Sequence, residues 1–174
     1  MCKNLISLIS VFTFLSVISA SAQILPDVPE GAEAVSLSGE PLYMPDPTNE
    51  TVLENLSITR NRYMDYPMDP TRVIWYGRRL GYAGDFRQAI KIFTEGTLDF
   101  PNDPKFYRHR GHRYITVREF DRAIADLEKA AGLIKGKSNV VEQDGAPNAA
   151  GIPVSTLHGN IYYHLGLAYY LKQD

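Results

Sequence analysis

GDFRQAIKIF, residues 84–93, returns as REFDRAIADL at residues 118–127, with Phe86 over Phe120, Ala89 over Ala123 and Ile90 over Ile124 at a constant spacing of 34. Gly77 meets Gly111 at the same interval, and YYHLGLAYY at 162–170 places Gly166 55 residues after Gly111, which is 34 plus an insertion of 21. A fixed period of this length marks a repeat array and decides the fold before any local motif does. Glycine inside a helix costs about 1 kcal/mol against alanine, so its recurrence at 77, 111 and 166 asks for a packing reason. Pro101 cannot continue a helix, and Asp103-Pro104 starts the next one with proline in its first turn. The pattern predicts helices at about 70–82, 86–99, 104–116, 120–133 and 158–172. Another precedes them, where Thr51-Val-Leu-Glu54 has the spacing of a capping box.

A 34-residue unit with Leu-Gly, an aromatic, Ala beside a large apolar residue and then Pro resembles the tetratricopeptide repeat. Gly77, Leu80, Ala89, Phe93 and Pro101 fall on the family's signature positions, with Val73 for the usual Trp and Gly96 for the usual Ala. In the second copy Tyr107, Gly111, Tyr114, Ala123, Leu127 and Ala130 do so, with Arg110 where Leu is typical. The third matches at Tyr162, Leu165, Gly166 and Tyr169 and then stops. The resemblance implies an all-α, TPR-like α-solenoid of antiparallel helix pairs, in which the glycine of helix A and the alanine of helix B let two backbones approach. The expected organisation is a signal peptide at 1–22, an extended acidic Pro-rich segment at 23–49, a leading helix at 50–66 and repeats over 70–174. The repeats divide into 70–103, 104–134, an insertion at 135–158 and an incomplete third unit at 159–174. Because that last unit lacks its helix B, the chain reads as the amino-terminal part of a longer protein.

The first residues carry Lys3, an apolar run from Leu5 to Ile18 and the small residues Ala20, Ser21 and Ala22, the layout of a secretory signal cut after Ala22. The run is short of the roughly 20 residues a spanning helix needs, so no stable membrane span is expected after cleavage. Cys2 is the only cysteine and leaves with the signal, so the mature chain has neither a disulfide nor a thiol nucleophile. The expected location is secreted or periplasmic. Charge is uneven: Gln23–Asp69 holds nine acidic and two basic residues, net −7, whereas Pro70–Tyr114 holds nine basic and four acidic, net +5.

FYRHRGHRY at 106–114 is helix A of the second unit. In the family such helices line the concave groove, and the register then turns Lys105, Arg108, His109 and His112 toward a ligand, with Tyr107, Gly111 and Tyr114 inward. Flanking units add Trp75, Arg78 and Tyr82 on one side and Tyr163, His164 and Tyr170 on the other. Arginine grips carboxylates in pairs of hydrogen bonds and flat aromatics bury apolar side chains, so the expected partner is a protein or peptide, an acidic one for preference. The family's co-chaperone clamp is not implied, since its positions hold Ile74, Arg78, Arg108, His112, Tyr163 and Leu167. His109-x-x-His112 with His164 has the spacing of a three-imidazole metal site, but neighbouring arginines repel a cation, and no metal or other cofactor is expected. Overall negative charge and export argue against nucleic acid. No GxSxG, HExxH, P-loop or paired-carboxylate motif assigns a catalytic residue. The alternative is a spacer in a larger envelope assembly, with a metal-binding or hydrolytic protein behind it.

Residues 23–49 hold five prolines, five acidic residues and no basic ones, so they are expected to be extended or disordered, with part of them docking on the repeats and the basic groove near Arg78 and Arg108 as a candidate site. The insertion is longer than an interhelix turn; its second half is expected to fold back, and Ser138–Pro147 to be mobile.

Overall fold

The computed structural model describes residues 28–142 and 148–173. Residues 1–27, with the signal sequence and its cut, 143–147 and Asp174 lie outside the described residues. A short hairpin, β1 (Ala34–Val35) and β2 (Pro41–Leu42), precedes six helices: α1 (Glu50–Asp65), α2 (Pro70–Tyr82), α3 (Phe86–Asp99), α4 (Pro104–Thr116), α5 (Phe120–Ile134) and α6 (Leu157–Lys172).

Start signals recur with the period. Asp69 and Asp103 each accept a first-turn amide, from Thr71 at 2.8 Å and from Lys105 at 2.9 Å, and Pro70 and Pro104 follow them. α1 starts earlier than Thr51 would allow: Asn49 is its cap and accepts from the Val52 amide.

Each helix packs on the next in the chain, and α2, α4 and α6 also lie side by side as one layer. The glycines set how closely. A Cβ on Gly77 would lie 2.6 Å from the Phe93 ring, one on Gly96 2.2 Å from the Phe106 ring, and one on Gly111 2.8 Å from Leu127 Cγ. Phe93, Phe106 and Leu127 are all fully buried, so none can retreat. Gly166 is different, with nothing within 4 Å of the equivalent point, because no helix B covers α6 among the described residues. Packing therefore accounts for the glycines at 77 and 111.

Arg110, where the family resemblance calls for leucine, is explained by its partners. Its Nε and Nη2 each donate to an Asp126 oxygen at 2.7 Å, and Nη1 donates to the Thr97 and Thr94 hydroxyls at 2.9 and 3.2 Å. One guanidinium thus ties α4 to α5 and α3, with its donors satisfied where an unpaired charge would be costly.

The amino-terminal segment docks on the repeats, but not in the basic groove. Ala34 is buried with Tyr114, Ile115 and Val117, and Met44 lies over Gly84 in the α2–α3 turn. Glu33 accepts the Arg87 amide at 2.8 Å, and Arg87 Nε donates to the Glu33 carbonyl. That amide belongs to the first turn of α3, where helix amides lack internal partners and favour a carboxylate. Arg87 also pairs with buried Glu119, which Arg122 reaches from its other side. The segment is therefore held at Arg87, on the turns between paired helices, away from Arg78 and Arg108.

Two glycine substitutions should move stability in opposite directions. Gly111→Ala should lose about 1–3 kcal/mol through overpacking against Leu127, whereas Gly166→Ala, in open space, should gain up to about 1 kcal/mol of helix propensity. Urea unfolding of both variants checks this; equal effects would contradict the packing account.

Candidate functional site

Three adjoining depressions run along the layer formed by α2, α4 and α6. The widest, about 560 Å³ between α1 and α2, is lined by Ile58, Arg62, Arg72, Trp75 and Arg79. Thr71 and Trp75 pass into a middle one of about 240 Å³, shared with Ile74, Lys105 and His109. His109 then borders a third of about 160 Å³, reached by Arg78, Tyr82, Arg108, Arg113 and His164. Together the three make up a segmented channel whose parts meet at those shared residues.

The strip is cationic, yet its histidines are not. Arg108 is buried, with Nη1 3.1 Å from His109 Nδ1, which must accept because a guanidinium only donates. The His109 ring stacks on Phe93 with centroids 5.4 Å apart. Arg113 Nη2 likewise approaches His112 at 3.1 Å, and the His112 and His164 rings stand 4.2 Å apart. His164 Nδ1 donates to the Asn160 carbonyl at 2.7 Å. Burial, then the Arg108 charge, holds His109 well below its ordinary range. Burial, then Arg113, takes His112 down to about 2, and burial also lowers His164. All three imidazoles are therefore neutral near pH 7. Among the described residues no group of three or more His, Cys, Asp or Glu is arranged to hold a metal ion. Arg78 donates to the Tyr82 hydroxyl at 2.8 Å and lies over the Trp75 ring at 4.5 Å, so its stem and two aromatics form one flat wall.

Six of the ten residues expected in the groove gather around the third depression: Arg78, Tyr82, Arg108, His109, His112 and His164. Trp75 and Lys105 line the middle one. Tyr163 and Tyr170 do not line the channel and are exposed. The face of α6 explains this: Leu157, Ile161, His164 and Ala168 point inward at helical spacing, which puts 163 and 170 on the outer side. Leu167 and Leu171 pack partly buried against the core.

Arg108 and His109 lie buried rather than open because part of the insertion crosses above them. Glu142 Oε2 pairs with Arg108 Nη2 and also accepts from Asn160 Nδ2. Val141 bridges Thr156, with the Glu142 amide donating to the Ser155 carbonyl and the Leu157 amide to the Val140 carbonyl, both at 3.0 Å. Residues 138–142 were expected to be mobile; the ion pair and this ladder hold 140–142 in place instead. In the second half, Asn148 Oδ1 closes a turn onto the Ala150 and Ile152 amides, while Ile152 and Val154 stay exposed.

Sequence reasoning passed over Arg113, Asn160 and Glu142. Gly81 held a signal for the first, since a Cβ there would lie 2.6 Å from Arg113 Nη1. Nothing periodic ties Glu142 to α4.

A histidine depressed on folding binds its proton more readily when unfolded, so stability is full above about pH 6.5 and falls as pH drops below it. The slope is up to about 1.4 kcal/mol per pH unit for each such group. Urea unfolding at pH 7.5 and 5.5 should show that loss, and His112→Gln should reduce it by about 1 kcal/mol. An unchanged loss in the variant would contradict a neutral, buried His112.

No family model matches the chain. The heat shock protein sti1 homolog of Schizosaccharomyces pombe is 39% identical over 57 residues, 33% of this chain and 10% of that protein. Among solved structures, the Yersinia enterocolitica type III secretion translocator chaperone SycD gives a TM-score of 0.55 at 16% identity, over 71% of this chain and 76% of that one. The MamA RS-1 ArsTM double mutant gives 0.52 at 19% identity, over 70% of this chain and 57% of that one. At such identities the likeness is one of fold. Among the described residues no helix is long and apolar enough to cross a membrane.

Proposed function

We propose that this chain, an all-α solenoid of the tetratricopeptide-repeat kind, binds an extended segment of another protein along its α2–α4–α6 face and carries out no chemistry of its own. The observation that carries the reading is the adjacency of the three depressions, the first two meeting at Thr71 and Trp75 and the last two at His109. A groove of this kind suits a chain rather than a compact small molecule. Its lining sorts the ligand chemically: Arg62, Arg79 and Lys105 offer charge to carboxylates, Arg72 being already paired with Asp69, and Ile58, Ile74 and Trp75 offer apolar and flat surface. The fold likeness to SycD, a secretion translocator chaperone, is in keeping with a protein client. Export, read from residues 1–22, would place that client outside the cytoplasm.

Peptide display against the full chain tests this. Selected peptides should carry Asp or Glu beside apolar residues, should weaken with added salt, and should lose about tenfold in affinity for Lys105→Glu or Trp75→Ala. Enrichment of no peptide, or equal binding to both variants, would overturn the reading and leave a spacer role.

A further inference from the structure

The insertion supplies the groove with something that resembles a ligand. Val140-Val141-Glu142 runs extended over α2 and α4 and borders the middle depression with Thr71, Ile74 and His109. Its purchase is uneven: Glu142 is 5% exposed, whereas Val140 and Val141 keep 50% and 44% of their surface in solvent. Little apolar area holds the segment, and its anchor is one carboxylate shared by Arg108 and Asn160, two ladder hydrogen bonds and the His158 amide donating to Asn139 Oδ1.

That anchor leaves donor capacity unused. Glu142 Oε2 engages Arg108 Nη2, while Arg108 Nε is buried without a hydrogen-bond partner. A carboxylate placed across Nε and Nη2 would make two parallel bonds, the stronger arrangement for arginine. Emptying the site would strand a buried cation, but exchanging one carboxylate for another would not. Displacement is therefore favourable only for an incoming segment that brings its own acid.

We infer that Val140-Val141-Glu142 is an internal stand-in for the partner, and that the partner segment is an extended strand of two apolar residues followed by a glutamate whose carboxylate takes over Arg108. This deepens the reading above and rests on it. The internal segment enjoys an effective concentration on the order of millimolar, so it sets a threshold that excludes neutral chains.

The test uses the full chain and the labelled peptide Ac-Ser-Asn-Val-Val-Glu-Gln-NH2, with a Gln-for-Glu version as control. Glu142→Gln should bind the glutamate peptide at least about tenfold more tightly than the native chain does, and should bind the control poorly. Equal affinity in the two chains, or equal binding of the two peptides, would overturn the inference. Should Glu142→Gln fold poorly, hydrogen exchange in the native chain decides: excess glutamate peptide should speed exchange of the Glu142 and Leu157 amides, and unchanged protection would count against displacement. Display-selected peptides that need Trp75 and Lys105 yet leave those amides protected would refute the stand-in while sparing the binding reading. Binding of no peptide to either chain would remove both.

Discussion

Close approach of paired helices at glycine is the constraint on which the rest depends. Phe93 lies on Gly77, Phe106 on Gly96 and Leu127 on Gly111, at separations that a methyl group would close. Those contacts bring α2 onto α3, α3 onto α4 and α4 onto α5, and so align α2, α4 and α6 as a single layer. The strip of arginines and histidines has a continuous direction only because that layer exists.

The layer is also where the molecule concentrates charge at a cost. Arg108 and Arg113 both have lowered affinity for their protons, in each case through burial first. The chain moderates this by keeping three histidines neutral and by bringing Glu142 back from the insertion. Arg110 shows the alternative on the opposite side of α4, where Asp126 and two threonines complete its hydrogen bonds within the core. One face of the same helix is thus closed by the fold, and the other retains a buried donor on Arg108 for which the fold provides no acceptor.

Periodic features were legible in the sequence. Asp-Pro starts, the recurring glycines and Phe86/Phe120 gave the helices almost to their ends, because each repeats a local rule that neighbouring residues enforce. The same register brings eight of the ten expected residues to the lining of the three depressions. What escaped it was whatever a single contact decides. Tyr163 and Tyr170 turned outward because Leu157 and Ile161 fixed the roll of α6. Glu33 chose Arg87 rather than Arg78 because a first-turn amide and a guanidinium stand together there. Glu142 reached Arg108 across 34 residues with no pattern to announce it.

The most direct measurement is amide chemical-shift mapping of the full chain as an acidic, apolar peptide selected for binding is added. Shifts should run along Thr71, Trp75, Lys105, His109 and Asn160, with α3 and α5 unmoved on their outer faces. Shifts confined to α3 and α5, or to the exposed tyrosines of α6, would contradict this.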